Sequence, residues 1–362
     1  MSKIRSSFAL LAGCAVALGF GGATAFAADM GLPTKGPAPM AAAAAPPLDI
    51  HGFAEFLWGS TYINPQGQLL GTRGEESAVA GLNWTVWHGN GFINSATVGG
   101  LVALDWANPH EPGAWSNFAP TMYGSLFDLV LAASGSVTFL QYWTLRDQFT
   151  WVINEHVAGI GSVVAANCFN PGSGGCAAST WMPQNDLRLT FNDSFTGWWI
   201  TWNPYVDWAY VLPSGETAAS GTNAETQPCF TCGPNRYDFY VGIDPTVSLQ
   251  KWWGIPLTLK APTYITVGPE NFWQGGFGFP TGTTNPGGTV GNHGIWGVFT
   301  TGLTAIYSLQ NWVPKNYGNW YVRGGFQYYN LINQNLVVSE FASIGQTHKD
   351  IFLGFAGIGV TF

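Results

Sequence analysis

The chain has 362 residues, of which only 9% are charged and 15% aromatic, with 18 Trp, 48 Gly and a formal net charge of −8. Soluble domains carry roughly 25% charged residues, so this sequence has too little charge to clothe an ordinary water-facing surface. The negative balance and the lack of any Lys/Arg run argue against nucleic acid as a partner.

Residues 1–27 read as an export signal. Lys3 and Arg5 form its charged start, Phe8 to Phe20 its apolar centre, and Ala25-Phe26-Ala27 a cleavage site that cuts between Ala27 and Ala28. A competing signal overlaps it, since Leu11-Ala12-Gly13-Cys14 resembles a lipoprotein acylation box. The apolar stretch before Cys14 is short for that and runs on well past it, so cleavage after Ala27 is preferred. Residues 28–48 are rich in Ala and Pro, bury little, and read as a passive periplasmic leader. Beyond residue 30 no run approaches the ~18 uninterrupted apolar residues of a membrane-spanning helix.

From Asp49 onward the chain breaks into alternating segments, and the spacing predicts strands near 49–62, 78–88, 94–107, 123–138, 143–155, 184–192, 197–211, 236–250, 256–267, 294–309, 318–332 and 349–362. The connections alternate. Those after even-numbered strands are tight, such as His88-Gly89-Asn90-Gly91, Leu140-Gln141-Tyr142, Asp193-Ser194-Phe195-Thr196 and Lys251-Trp252-Trp253-Gly254. Those after odd-numbered strands are long and rich in Gly, Pro, Asn and Thr, for example 156–183, 212–235 and 268–293. Aromatic residues crowd the short turns: Trp87, Tyr142, Trp143, Trp198, Trp199, Trp252, Trp253, Trp312, Tyr317 and Trp320. Rings with one apolar side and one wet side gather at a membrane interface, so these are expected to form a girdle.

Alternation sorts the faces. Tyr237, Phe239, Val241 and Ile243 oppose Asp238, Tyr240, Gly242 and Asp244; Leu187, Leu189 and Phe191 oppose Asp186, Arg188 and Thr190. A charge facing hydrocarbon at mid-depth costs a few kcal/mol, so the apolar set is expected outside and the polar set inside. The expected lining is Glu55, Asp105, Asp128, Arg146, Asp186, Arg188, Asp207, Asp238, Asp244, Lys260 and Arg323, with Tyr240, Gln327 and Tyr329 among its neutral members. Pro204, Pro245 and Pro262 fall inside predicted strands, where each removes a ladder hydrogen bond, so they should mark bulges or ladder ends.

Four cysteines lie in predicted long loops. Cys168 with Cys176 and Cys229 with Cys232 read as disulfides in an exported protein; four thiolates holding zinc is the alternative. No cofactor motif is present. The six histidines fall mostly at strand ends or in loops, and neither G-x-S-x-G nor H-E-x-x-H occurs, so no enzyme is expected. The Gly-rich tract Gly275 to Gly291 lacks a phosphate-binding fingerprint and reads as an external loop.

The last strand carries the strongest signature. Phe362, Val360, Ile358, Ala356, Gly354 and Phe352 alternate with Thr361, Gly359, Gly357, Phe355, Leu353 and Ile351. A terminal Phe preceded by apolar residues at every second position resembles the closing strand of Gram-negative outer-membrane β-barrels of the porin type. The resemblance covers residues 49–362 and rests on architecture and that terminal strand. It implies an all-β fold: a closed antiparallel transmembrane β-barrel of about twelve strands, with short periplasmic turns and long extracellular loops. It also implies that the strand ending at Phe362 is read by the barrel assembly machinery and then pairs with the first. Outer-membrane lipid is the expected surrounding, and a monomer the expected state. The expected role is a narrow channel for passive diffusion of small polar solutes. The alternatives are a non-conducting barrel acting structurally or adhesively through its outer loops and, third, a lipid or ester hydrolase. Members of the wider class include nucleoside and acidic-oligosaccharide channels and a phospholipase, but no substrate residue matches theirs.

Overall fold

The computed structural model describes residues 49–63, 65–67, 69–71, 75–107, 125–154, 180–211, 237–275, 282, 284–344 and 346–362. The expected signal cleavage at Ala27 and Ala28, the leader, and Cys168, Cys176, Cys229 and Cys232 all lie outside the described residues. Twelve strands make the ring: β1 (Asp49–Gly59), β2 (Glu75–His88), β3 (Ile93–Ala107), β4 (Ser125–Phe139), β5 (Trp143–Asn154) and β6 (Thr180–Phe191) form one half. The other half comprises β7 (Tyr205–Val211), β8 (Tyr237–Ile243, resumed at Thr246–Ser248), β9 (Leu257–Lys260, resumed at Thr263–Val267), β10 (Trp296–Ser308), β11 (Asn319–Leu331) and β12 (Asp350–Thr361).

Each strand pairs antiparallel with its neighbour in sequence, and β12 pairs with β1 from Phe53 opposite Thr361 to Gly59 opposite Phe355. Gly52 and Phe362 exchange backbone hydrogen bonds of 2.8 and 2.9 Å at the seam. The terminal strand therefore closes the ring, leaving no unpaired edge, which hydrocarbon would not tolerate. At roughly 3.3 Å per residue and a tilt of about 40°, strands of a dozen residues cross roughly 30 Å. No helix among the described residues is long and apolar enough to span a membrane.

Two predicted strands need correction. The stretch 197–204 is not part of β7. The Asp193 carboxylate accepts the backbone N–H of Trp202 at 2.8 and 3.0 Å, pinning an excursion that meets the sheet through an isolated bridge, Thr201 to Thr246, and single backbone bonds at Trp202 and Pro204. The predicted strand 236–250 is interrupted at Asp244-Pro245 and ends in a short helix, α1 (Leu249–Trp253). All three prolines sit at ladder breaks. Pro204 precedes β7, and Pro245 and Pro262 split β8 and β9. Their carbonyls stay in use, accepting the N–H groups of Phe191, Ala261 and Gly302 respectively.

The outward face is apolar. Phe56, Leu82, Val98, Val102, Leu145, Leu189, Val206, Phe239, Val241, Leu303, Phe326 and Ile358 are all exposed. At the turn end Trp87, Trp198, Trp199, Trp252, Trp253 and Trp312 are exposed, with Trp143 and Trp320 partly so. A second rim, not foreseen from sequence, runs along the opposite ends of the strands through Trp58, Trp208, Phe239, Trp296 and Phe352. Hydrocarbon between two wet aromatic rims accounts for both.

Within the belt a carboxylate on β5 breaks the pattern. Asp147 shares its face with Leu145 and Phe149 and is exposed, accepting a 2.7 Å hydrogen bond from Asn185 Nδ2. A carboxylate among apolar neighbours in a lipid-facing belt is destabilising. Asp147→Leu is therefore expected to stabilise the barrel by about 1 kcal/mol in vesicles, read as a shifted urea midpoint with an unchanged slope.

Candidate functional site: the barrel interior

The interior is built from the inward parity of each strand, and its two halves differ. Along β5–β8 register aligns Arg146 with Arg188, Arg188 with Asp207, and Asp207 with Tyr240 in a single row. The row nearer the loop end holds Gln148, Asp186, Ala209 and Asp238; the row nearer the turns holds Thr144, Thr190, Tyr205 and Gly242. Arg188 Nε donates to Asp207 Oδ2 at 2.8 Å, and its guanidinium lies 4.0 Å from the centre of the Tyr205 ring. Gly242 is required there, since a Cβ would fall 2.8 Å from the Tyr205 hydroxyl.

A second charged pair bridges β1 and β11. Arg323 Nε lies 2.6 Å from Glu55 Oε1 with both side chains buried. The strand between them, β12, presents only glycine at this level: Gly359 stands opposite both Glu55 and Tyr321, and Gly357 opposite Arg323. Without side chains from β12, groups two strands apart meet. A Cβ on Gly359 would lie 2.4 Å from the Tyr321 hydroxyl.

Every predicted lining residue with a described side chain faces inward: Glu55, Asp105, Arg146, Asp186, Arg188, Asp207, Asp238, Tyr240, Asp244, Lys260, Arg323, Gln327 and Tyr329. Asp128 stands opposite Asp105 in the ladder. Asp105 accepts the Ser77 hydroxyl, and Gln327 accepts that of Tyr329 at 3.0 Å. The structure does not bring these groups into one constellation. They divide between the β5–β9 wall and the β11–β1 wall, with Asp105 apart on β3.

These polar side chains occupy only part of the circumference. On β1–β4 and β12 the inward residues are largely apolar, with Phe53, Leu57, Val79, Ala103, Val130, Ala132, Ile351 and Leu353 all buried. The interior is thus amphipathic, one wall charged and hydrogen-bonding, the other greasy.

The loop end of β9–β12 and β1 carries a folded cap. It comprises a two-stranded ribbon (Tyr62–Ile63 with Leu69–Gly71), a helix α2 (Glu270–Gly275), a second ribbon (Thr284–Asn285 with Gly288–Thr289) and a helix α3 (Gln334–Ile344). Ile63, Phe272, Trp273, Val290, Leu336, Val337 and Val338 form its buried core on Val298 and Leu331 of the ring. Asparagines lock it: Asn335 exchanges hydrogen bonds with the Gly291 backbone at 2.9 and 3.1 Å, and Asn333 Nδ2 donates to Trp296 O at 3.0 Å. The Gly275 to Gly291 tract, where described, belongs to this cap. From the first loop Gln66 reaches Gln184 on β6 at 3.4 Å, and Pro65 O accepts the Tyr264 hydroxyl at 3.3 Å. That loop leaves β1, folds inward and crosses to the charged wall.

Within the cap Glu340 is buried, and His348 Nδ1 lies 3.1 Å from its Oε1. Burial pushes the Glu340 carboxyl from its ordinary 4.5 up to about 7, while His348 opposes the shift. The folded cap then keeps a proton that the unfolded segment loses between those values. Its stability is full below about pH 4.5 and falls as pH rises through 7. Amide-exchange protection of α3, corrected for intrinsic rates, is expected to be higher at pH 5 than at pH 8, and Glu340→Gln should flatten the difference.

The other described histidines contact carboxylate or carbonyl oxygens, not nucleophiles. His51 and His88 share Asp49 at 2.6 and 3.0 Å, and His293 meets Thr289 O at 2.8 Å. Among the described residues no group of three His, Cys, Asp or Glu is placed to hold a metal ion.

A closed ring, an apolar belt between two aromatic rims and charges turned inward define a transmembrane β-barrel of the outer-membrane kind. No protein-family model matches the chain, and no curated protein matches it either. Among solved structures, an outer-membrane channel from Pseudomonas putida F1 aligns over 88% of this chain and 97% of its own at 10% identity and a TM-score of 0.42. The β domain of the Bordetella autotransporter BrkA aligns over 87% and 100% at 13% identity and TM-score 0.38. Pseudomonas putida OprB aligns over 86% and 93% at 9% identity and TM-score 0.32. These are likenesses of barrel architecture alone.

Proposed function

We propose that the chain is an outer-membrane channel of a Gram-negative bacterium, for passive diffusion of small polar solutes. The reading takes the short turns as periplasmic and the capped loop end as extracellular. The single observation that carries it is the charged, hydrogen-bonding wall of β5–β9, turned into a closed ring whose outside is apolar. Arginines beside aspartates set up a local field, and Tyr205, Tyr240 and Tyr264 offer hydrogen bonds to a polar solute. Lipid surrounds the barrel, a monomer suffices to form the lumen, and the β12 strand is the segment the assembly machinery would read.

A second reading, a non-conducting barrel with a structural or adhesive role, draws on a different observation. Arg146, Lys260, Arg323 and Gln327 are deeply buried, and the first loop crosses the lumen to Gln184. Buried charges must be compensated whether or not anything passes between them. Planar-bilayer recording on the refolded full chain separates the two. Discrete conductance steps that change with solute size and charge support the channel; a barrel that inserts and never conducts supports the second reading.

A further inference from the structure

The charged wall contains acceptors that the protein itself leaves unused. Asp238, on the inward face of β8, is 0% exposed, and neither carboxylate oxygen has a hydrogen-bond partner among the described residues. Two positions along the same face, the buried Tyr240 hydroxyl also lacks one. Directly opposite Tyr240 on β7, Asp207 gives one oxygen to Arg188, while its other, Oδ1, is buried and without a hydrogen-bond partner. Asp186 stands beside them, since Ala209 alone separates it from Asp238 in the ladder. Buried polar groups are bonded in the great majority of cases, and each one left over costs roughly 1–3 kcal/mol. A patch of three adjacent residues with free acceptor atoms is thus the arrangement of a site that a donor completes.

Charge and shape narrow the donor. Asp186, Asp207 and Asp238 lie on three adjacent strands, and of these Asp207 gives one oxygen to Arg188, so the patch is rich in acceptors and favours a donor that carries positive charge. Half a turn round the ring, β1 and β2 present Phe53, Leu57 and Val79, an apolar surface that stabilises a hydrocarbon substituent and offers a hydrated inorganic ion nothing.

We propose that Asp238, Tyr240 and Asp207 form a binding site for a small organic monocation, a primary ammonium bearing an apolar substituent. Its three N–H donors meet Asp238, Asp207 Oδ1 and the Tyr240 hydroxyl oxygen, and its substituent points to the apolar wall. The inference gives the preceding reading its solute class and rests on that reading for its biological role, but binding itself needs no conductance.

The test is isothermal titration of the detergent-purified full chain with n-butylammonium chloride, with potassium chloride and sodium butyrate as controls. Saturable one-to-one binding is expected for butylammonium and neither control. Asp238→Asn should weaken it by roughly tenfold or more, and Tyr240→Phe by roughly threefold. Should Asp238→Asn fail to fold, as judged by its heat-dependent gel migration, Tyr240→Phe decides. Absence of saturable binding, or affinity unchanged in the variants that fold, overturns the site and makes Asp238 a buried structural acid. Binding without conductance would remove the channel and keep the site; conductance without binding would do the reverse.

Discussion

Arg323→Ala is expected to destabilise the barrel by about 3–5 kcal/mol, the cost of leaving one member of a buried ion pair without its partner. The substitution strands Glu55, whose carboxylate lies 2.6 Å from the guanidinium and whose side chain is 9% exposed. No other base can take over across β12, because Gly357 and Gly359 supply no side chain at that level. Denaturant titration in detergent, followed by tryptophan fluorescence, measures the loss. The double variant Glu55→Leu with Arg323→Met, which removes both charges at similar volume, should recover most of it. The size of the effect also reports on the lumen. If Arg323→Ala costs under about 1 kcal/mol, water must already solvate Glu55, as it does for exposed pairs. The interior at this level would then be wet, which favours the channel; a full-sized loss means a dry, packed wall.

Much of this architecture is legible in the sequence because hydrocarbon outside a closed ring makes alternation strict. Asp238 and Tyr240 against Phe239 and Val241 admit only one assignment of inside and outside, and the structure keeps it. The three prolines were readable for a local reason, the missing N–H, which holds whatever the tertiary context. The apolar wall was not readable. On β1–β4 both parities are rich in Ala, Gly, Val, Leu and Phe, so apart from scattered polar markers such as Glu55 and Asp105 the inward Phe53 and Leu57 resemble in kind the residues that meet lipid. The cap was hidden for another reason. Its lock is made of Asn285, Asn333 and Asn335 bonding to backbone far away in sequence, and such contacts leave no period. Asp147 could have been found, since its parity with Leu145 and Phe149 places it outside. The hairpin at Leu140 and Gln141 takes positive φ at both residues without glycine, and composition gave no hint of it.

Trp273→Ala should dissolve the cap while leaving the ring intact. The Trp273 side chain is completely buried, and its indole N–H donates to Ile295 O at 3.0 Å. Its six-membered ring lies over Gly297, where even a Cβ would come within 2.1 Å, so β10 is shaped to receive this one side chain. Truncating a buried Trp costs about 3–5 kcal/mol through lost contacts and the cavity left behind. That loss falls on the packing of α2, α3 and the two ribbons onto β10, whereas the ring is held by ladder hydrogen bonds around its whole circumference. Amide exchange should therefore rise by roughly two orders of magnitude or more in 284–291 and 334–344, with protection in β4–β6 unchanged. Trp273→Phe, which fills most of the space, should retain much of the protection. If the cap obstructs the lumen, the same variant will conduct more than the parent in planar bilayers. Were β4–β6 to lose protection together with the cap, the two would be one cooperative unit, and the cap could not open without unfolding the barrel that carries it.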